Sequence, residues 1–127
     1  MDQRYQEVVA SLETYFDGLY HSDTKRLGQV FHPQAIYACA TEGTLTYHSM
    51  ATYFPVVDAR PAPASRNEKR ADRIVSITFA GPVTAVAIVN CAIGPKYFTD
   101  ILTFVKLDGR WQIMSKVFHF DLVPAAA

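Results

Sequence analysis

Several features are absent from this 127-residue sequence, and each absence excludes a class of protein. Lys and Arg never stand more than two in a row, and 12 basic residues balance 12 acidic ones, so no charged track for nucleic acid or acidic lipid is expected. No apolar run approaches the roughly 18 residues that cross a bilayer. The opening MDQRYQEVVA lacks the basic and then apolar blocks of a signal peptide. We therefore predict a cytoplasmic protein with no nucleic-acid partner and no membrane partner.

Cofactor and metal motifs are missing as well. The patterns GxSxG, HExxH, GxGxxG and GKS/T do not occur, so a serine hydrolase, a zinc protease, a dinucleotide enzyme and a P-loop protein have no support. Cys39 and Cys91 are far apart and form no CxxC pair, so we interpret them as buried or free thiols in a reducing compartment. No zinc-ligand spacing relates the four histidines, which are His21, His32, His48 and His119. We predict no metal and no cofactor, which leaves acid–base chemistry by side chains.

The residues that are present indicate a folded globular domain. Hydrophobic residues make up 50% of the chain, aromatic residues 13% and charged residues 19%, a composition that requires a buried core. A chain of this length can bury one such core but not two, so residues 1–127 are predicted to form a single domain. The zero net charge leaves little repulsion between copies, which favours self-association. The run Ala125–Ala127 is interpreted as a frayed end.

Two helices are predicted at the start of the chain. Over residues 2–21 the apolar residues recur at intervals of three and four, the spacing of an amphipathic helix with one buried stripe. Ser22 or Asp23 can cap a second helix, which is expected to end where Pro33 disfavours helical geometry at His32.

The middle of the chain is predicted to be mixed. Residues 35–40 and 44–48 have the composition of short strands, and Ser49 can cap a third helix that Pro55 keeps short or kinked. Residues 58–70 combine two prolines with much local charge, so we interpret them as an exposed loop within the domain.

The second half of the chain is predicted to be a meander of four antiparallel strands. Residues 72–80 and 83–93 are β-rich runs on either side of Gly81-Pro82, and a long hairpin follows at 96–122. Helices in front and strands behind predict an α+β fold. We expect a cone-shaped, strongly curved mixed or antiparallel sheet, with about three helices from the N-terminal half on its concave face and an open mouth for a small ligand.

The hairpin is the strongest local signal in the chain. Asp108-Gly109 lies between two apolar, β-branched and aromatic runs and suits a two-residue turn in which both residues take positive φ. Counting outward from this turn places Asp100 opposite Val117 and Phe98 opposite His119. A bulge that shifts the register by one residue is the alternative, and it would move every later side chain to the other face.

Asp100 is the leading site candidate under this register. It shares an otherwise apolar face of the sheet, and His119 and Ser115 lie within diagonal side-chain reach. If Asp100 and His119 both line an apolar pocket, the pair could move a proton on a bound carbonyl compound. A plain interior hydrogen bond is the alternative interpretation.

Other candidates would contact a ligand rather than react with it. Phe98 and Ser115 belong to the same predicted face as Asp100. His32 precedes a proline, where an imidazole ring commonly bonds nearby backbone, so a structural role is favoured over a catalytic one and His32 is kept as a ligand contact only. Tyrosines that stand among apolar residues could supply pocket-wall hydroxyl groups or simply pack, and they are Tyr15, Tyr37, Tyr47 and Tyr53.

Short motifs spread over residues 5–120 together resemble the nuclear transport factor 2-like superfamily. They are Tyr15-Phe16, Gly18-Leu19, Phe31-His32-Pro33 and the run DGRWQI at 108–113. Within the superfamily, the pattern is most similar to the small bacterial proteins called putative lumazine-binding, close to the SnoaL-like group, with Thr99-Asp100 and residues 116–119 at matching positions. The resemblance implies a cone-shaped α+β fold, a pocket, and a homodimer through the convex sheet face. Phe118 and Phe120, expected on the face opposite His119, would lie in that interface.

The resemblance implies no particular reaction, because the superfamily includes ketosteroid isomerases, scytalone dehydratase, polyketide cyclases and proteins without catalysis. Two hypotheses stay open. The first is a small-molecule-binding domain of unassigned ligand with an apolar pocket in the cone. The second is a cofactor-independent isomerase, dehydratase or cyclase that uses Asp100 and His119. A protein–protein module is a third alternative.

Overall fold

The computed structural model describes residues 2–123, so the run Ala125–Ala127 lies outside the described residues. The helices are α1 (Gln3–Tyr20), α2 (Thr24–Val30) and α3 (Met50–Ala59), and a short 3-10 helix spans Pro63–Arg66. The strands are β1 (Phe31–Cys39), β2 (Thr46–Ser49), β3 (Arg73–Phe79), β4 (Thr84–Ile93), β5 (Lys96–Leu107) and β6 (Arg110–Leu122).

The helix starts follow the predicted capping residues. The Asp23 side chain accepts hydrogen bonds from the first backbone N–H groups of α2, and the Ser49 hydroxyl accepts one from the first turn of α3. The sequence predicts that the second helix extends through Phe31, and α2 ends one residue earlier, at Val30. The chain passes directly into β1, so His32 and Pro33 lie in a strand.

The first two helices approach each other closely at Gly18. A Cβ atom at this position would lie 2.6 Å from Cδ2 of Leu27, whose side chain is fully buried between the helices. Any larger residue at this position would therefore force the Leu27 side chain to shift. The contact fixes α1 against α2, and both helices then cover the sheet.

One curved, unclosed sheet contains all six strands in the order β2-β1-β6-β5-β4-β3. The four strands β3 to β6 form the predicted antiparallel meander, and β1 adds to β6 in parallel, which makes the sheet mixed. The apolar stripe of α1 and the buried residues of α2 and α3 form a core with the inner sheet face. The predicted α+β class is confirmed.

The hairpin turn is confirmed, but its register changes along the strands. Asp108 and Gly109 both have positive φ, and the pairing runs as predicted as far as Phe104 opposite Ile113. Met114 is then an extra residue in β6, because the next pair is Thr103 with Ser115. Such a bulge moves every later side chain of β6 to the other face relative to an uninterrupted strand.

The bulge decides which side chains point into the cone. Asp100 pairs with Phe118 instead of Val117, and Phe98 pairs with Phe120 instead of His119. Asp100 and Phe118 are buried, so the expectation that Phe118 and Phe120 lie on the convex face is wrong. The convex face instead carries the exposed side chains Ile101, Val117 and His119.

Candidate functional site

Asp100 lies completely buried on the inner face of β5, as the sequence predicts. The Tyr15 hydroxyl, from α1, donates a hydrogen bond of 2.5 Å to Oδ2 of Asp100. The ammonium Nζ of Lys116 lies 3.9 Å from the same oxygen, and only 5% of that side chain is exposed. The other carboxylate oxygen, Oδ1, is buried without a hydrogen-bond partner. A buried carboxylate with a free oxygen is an unusual arrangement, because such groups are normally satisfied.

Lys116 points from β6 into a shell of aromatic rings. The distances from its Nζ to the ring centroids are 5.3 to 6.0 Å, and the rings belong to Tyr15, Tyr37, Tyr53, Phe98 and Phe118. Aromatic faces attract a cation at this range, and more strongly where water is excluded. The shell therefore replaces part of the hydration that burial removes from the ammonium group.

The pKa shifts keep the ammonium charged and the hydroxyl neutral. Burial is the largest single effect on Lys116 and lowers its pKa, but attraction to Asp100, together with Tyr53, Tyr37 and Cys91, outweighs burial and leaves the pKa above its ordinary value. Burial and the negative charge of Asp100 raise the pKa of Tyr15 well above its usual value, so its hydroxyl stays a hydrogen-bond donor. Lys116 and Tyr15 thus present protons at Asp100.

A cavity of about 450 Å³ opens beside this cluster, between β1, the end of α3 and the inner ends of β5 and β6. Tyr37, Phe98 and Phe118 belong both to its wall and to the ring shell around Lys116. The charged pair therefore lies one layer of rings behind the cavity. This volume is within the range of small-molecule sites.

Two further polar groups beside the cavity have no partner. The hydroxyl of Tyr53 is buried and unbonded, although its ring stacks on Tyr37 with centroids 4.3 Å apart. The Nε and Nη2 atoms of Arg60, which follows α3 and lines the cavity, are also buried and unbonded. Each of these donors lacks an acceptor among the described residues and is withdrawn from solvent.

The structure brings together one group of the predicted site residues. Tyr15, Tyr37, Tyr53 and Phe98 all lie around Lys116 within the rings just described, and Tyr15 bonds Asp100. Tyr47, by contrast, is 59% exposed on β2. Three of the four tyrosines named from the sequence therefore lie beside the buried charges.

The predicted pairing of His119 with Asp100 is wrong, because the bulge at Met114 places the imidazole on the convex face. Its ring nitrogens lie 2.8 Å from the Thr41 hydroxyl and 2.9 Å from a carboxylate oxygen of Asp121, and 57% of the side chain is exposed. Sequence counting without a bulge could not show this.

Ser115 and His32 are also displaced from the site. The Ser115 hydroxyl lies 2.6 Å from the hydroxyl of Thr103, on the outer side of the bulge. Nδ1 of His32 accepts a hydrogen bond of 3.0 Å from the backbone N–H of Gln34, the local structural role that was favoured for it. Neither residue lines the cavity.

Lys116 and Arg60 are the functional candidates that sequence reasoning missed. The signal for Lys116 was a change of phase in β6, where apolar side chains stand at odd positions in Trp111 and Ile113 but at even positions in Phe118 and Phe120. Only an extra residue lets one strand bury both sets. Arg60 falls in the segment interpreted as an exposed loop, and no sequence signal marked it.

Among residues 2–123 no group of three or more His, Cys, Asp or Glu side chains could hold a metal ion. Within the same range, no helix is both long enough and apolar enough to cross a bilayer.

Comparison with known proteins gives the family. Residues 3–119 match the sequence model of the family described as Putative lumazine-binding. The chain belongs to this family. The match includes α1, the cavity wall except Phe120, and every residue of the charged cluster.

Relatives of this putative lumazine-binding domain share its fold over nearly the whole chain. A NTF2-like protein of unknown function from Shewanella baltica OS155 is 26% identical with a TM-score of 0.83, and the alignment covers 94% of each chain. A NTF-2 like protein of unknown function from Silicibacter pomeroyi DSS-3 is 25% identical with a TM-score of 0.82, covering 94% of this chain and 97% of that one. The expected superfamily is confirmed.

A curated relative carries the name of an enzyme. Aldolase FrzH from Cladobotryum sp is 29% identical over 117 residues, which are 91% of this chain and 90% of the relative.

Proposed function

We propose that this domain binds a small carbonyl compound in the cone and performs cofactor-independent acid–base chemistry on it with Asp100 and Lys116. The observation that carries the proposal is the buried Asp100 carboxylate, whose Oδ1 has no partner although a buried ammonium lies 3.9 Å from Oδ2. A base and a cation held together in a dry apolar site are the two groups that proton transfer next to a carbonyl requires.

The groups have separate roles in this reaction. Oδ1 of Asp100 accepts a proton from the carbon beside the ligand carbonyl, and the electron pair of that C–H bond moves onto the carbonyl oxygen to give an enolate. The Lys116 ammonium stabilises the negative oxygen, and Tyr15 holds Oδ2 in place. Where a C=C bond is conjugated with the enolate, return of the proton from Asp100 to the far carbon of that system gives isomerisation. Attack of the enolate on a second carbonyl forms a carbon–carbon bond, and Asp100 gives its proton to the resulting alkoxide.

Access to the pair goes through the aromatic wall. Tyr37, Phe98 and Phe118 separate the cavity from Lys116, so a ligand must insert between these rings or displace one. The unbonded Tyr53 hydroxyl can donate to a ligand oxygen there. Simple binding without turnover, the first hypothesis from the sequence, needs only this part of the site.

An imine mechanism at Lys116 is the second candidate, because a relative at 29% identity is named an aldolase and Lys116 is the buried amine. Imine formation requires a neutral amine. Attraction to Asp100 raises the pKa of Lys116, so the ammonium form favours acid–base chemistry instead. Borohydride reduction in the presence of a ketone, followed by mass spectrometry of the intact protein, distinguishes the two, since only an imine leaves a covalent adduct.

Deuterium exchange tests the acid–base proposal directly. Ketones and aldehydes that shift the melting temperature, in a panel that also contains pterins, flavins, steroids and small aromatics, are incubated with the protein in deuterium oxide. NMR then measures exchange at the carbon beside the carbonyl. We expect Asp100→Asn to lower the exchange rate by roughly 10²–10⁴-fold, the usual contribution of a general base. Lys106→Met, which changes a lysine outside the cavity, is the matched control. An unchanged rate in folded Asp100→Asn would contradict the proposal.

We also propose a homodimer and a cytoplasmic location. The convex face exposes apolar side chains that include Val75, Ile101 and Val117, which supports the homodimer that the family resemblance implies. Light scattering of the wild type and of Val117→Glu tests it, because a charge at that position would separate the copies. Cys39 and Cys91 are free and buried, which supports a reducing, cytoplasmic compartment.

A further inference from the structure

Arg60 differs from the other arginines near it in having no counter-ion. Arg66, which also lines the cavity, lies 3.5 Å from a carboxylate oxygen of Glu68, and Arg70 pairs with both Asp17 and Asp72. No such pair involves Arg60 within residues 2–123, although its Nε and Nη2 atoms are withdrawn from solvent. A buried charged donor without an acceptor is costly, so the arrangement indicates that something else supplies the acceptor.

The two unsatisfied atoms form one edge of the guanidinium group. Nε–H and one Nη2–H point in parallel, and this edge matches the two oxygens of a carboxylate. The backbone N–H of Arg60 bonds the carbonyl of Val57 at 3.3 Å, which fixes the residue at the end of α3. The backbone of Arg60 is therefore fixed at the cavity wall before any ligand arrives.

The remaining charges at the cavity allow one negative group. Arg66 is already compensated, and Lys96 packs its ammonium over the Phe120 ring at 4.5 Å. Glu42, an exposed residue, lines the same cavity without pairing to Arg60. Because Arg66 is paired, Arg60 and Lys96 against Glu42 leave one net positive charge, which a single carboxylate balances and a dianion such as phosphate exceeds.

We infer that the ligand is a keto acid or hydroxy-carbonyl acid, whose carboxylate binds the Nε–Nη2 edge of Arg60 while its carbonyl reaches Lys116 through the ring wall. This inference rests on the proposed function, because it takes Lys116 as the carbonyl end of the site. The inference adds to the proposed function the chemical class of the ligand and its orientation, with the carboxylate toward Arg60 and the carbonyl toward Lys116. The apolar wall between the two cations would contact the carbon skeleton.

Calorimetric titration with matched probes tests the inference. Benzoylpropionate has a ring, a ketone and a carboxylate, its primary amide lacks only the charge, and butyrophenone lacks the whole acid group. We expect the wild type to bind the acid on the order of tenfold to a hundredfold more tightly than the amide. Arg60→Gln should remove that preference while leaving the affinity for the amide and butyrophenone unchanged. Arg60→Lys should restore only part of it, since an ammonium has no planar fork.

Arg66→Gln is the matched control, because it removes a cation of the same cavity that already has a partner, and it should keep the preference for the acid. The inference fails alone if the neutral ketone binds as tightly as the acid while Lys116→Met weakens both, or if Arg60→Gln leaves the preference intact. It also fails if inorganic phosphate displaces benzoylpropionate at equal concentration. The inference and the proposed function fail together if no ketone or aldehyde binds, neither the neutral compounds of the panel nor an aryl keto acid series of increasing chain length.

Discussion

Replacement of Asp100 by Asn tests whether Asp100 and Lys116 form a stabilising buried ion pair. The substitution preserves the side-chain shape but removes the only carboxylate that pairs with the buried Lys116 ammonium in the described chain. It also gives the Tyr15 hydroxyl a neutral acceptor in place of a charged one. Breaking a buried pair in this way costs about 3–5 kcal/mol, because the remaining charge has no compensation.

This loss should be large in a thermal unfolding experiment. For a domain of this size, about 3–5 kcal/mol corresponds to a fall of roughly 10–20 °C in melting temperature. Adding Lys116→Met to Asp100→Asn should recover at least half of the fall, because the uncompensated cation is then gone. Circular dichroism or calorimetry at neutral pH measures both effects.

A control pair shows whether burial is the cause. Lys106 lies 3.0 Å from a carboxylate oxygen of Glu7, but about a third of each side chain is exposed, so Lys106→Met should cost no more than about 1 kcal/mol. If Asp100→Asn unfolds within a few degrees of the wild type, or if the double variant is less stable than Asp100→Asn, the ion-pair reasoning is refuted.

Three further outcomes follow from individual contacts. Tyr15→Phe should lower the free energy of unfolding by about 2 kcal/mol in urea titrations, because a charge-assisted bond is lost, and an unchanged midpoint would rule out that bond. Burial raises the pKa of Cys91 from 9.0 to about 12, so the stability that the neutral thiol contributes is present below pH 9 and is lost as pH rises toward 12. Cys91→Ala should therefore reduce the dependence of the free energy of unfolding on pH in this range. An identical slope in the variant would contradict this reasoning. Gly18→Ala should lower the free energy of unfolding by about 1–2 kcal/mol, because the new Cβ clashes with Leu27. Gly28→Ala has its nearest contact at 3.8 Å and should raise the free energy of unfolding by up to about 1 kcal/mol. Equal melting temperatures for the two variants would refute the close contact at Gly18.

The local features of the fold could be predicted because their causes are local. Asp108-Gly109 determines its own turn by the φ values it can adopt, and Ser49 caps a helix with its own hydroxyl. The burial of Asp100 followed from alternation along one strand, which needs no knowledge of the partner strand.

The site itself depends on relations between strands. The bulge at Met114 lets the apolar side chains of β6 before and after it both face the helices. Counting residues along one strand does not show that both groups have to be buried. Lysine is almost never fully buried without a partner, and the sequence reasoning had already paired Asp100, the partner of Lys116, with His119. Lys116 was therefore not identified. Arg60 was not identified because the residues around it in the sequence are prolines and charged residues, a composition typical of an exposed loop.

The two charges of the site project from adjacent strands, whereas Tyr53 and Arg60 belong to α3 and the residue that follows it. A hydrogen-bonded ladder fixes the spacing of β5 and β6, so Asp100 and Lys116 have little freedom to adapt to molecules of different shape. A helix end can shift and repack far more cheaply. Selection for new ligands, in nature or in the laboratory, would therefore act first on α3 and leave the electrostatic half of the cone unaltered.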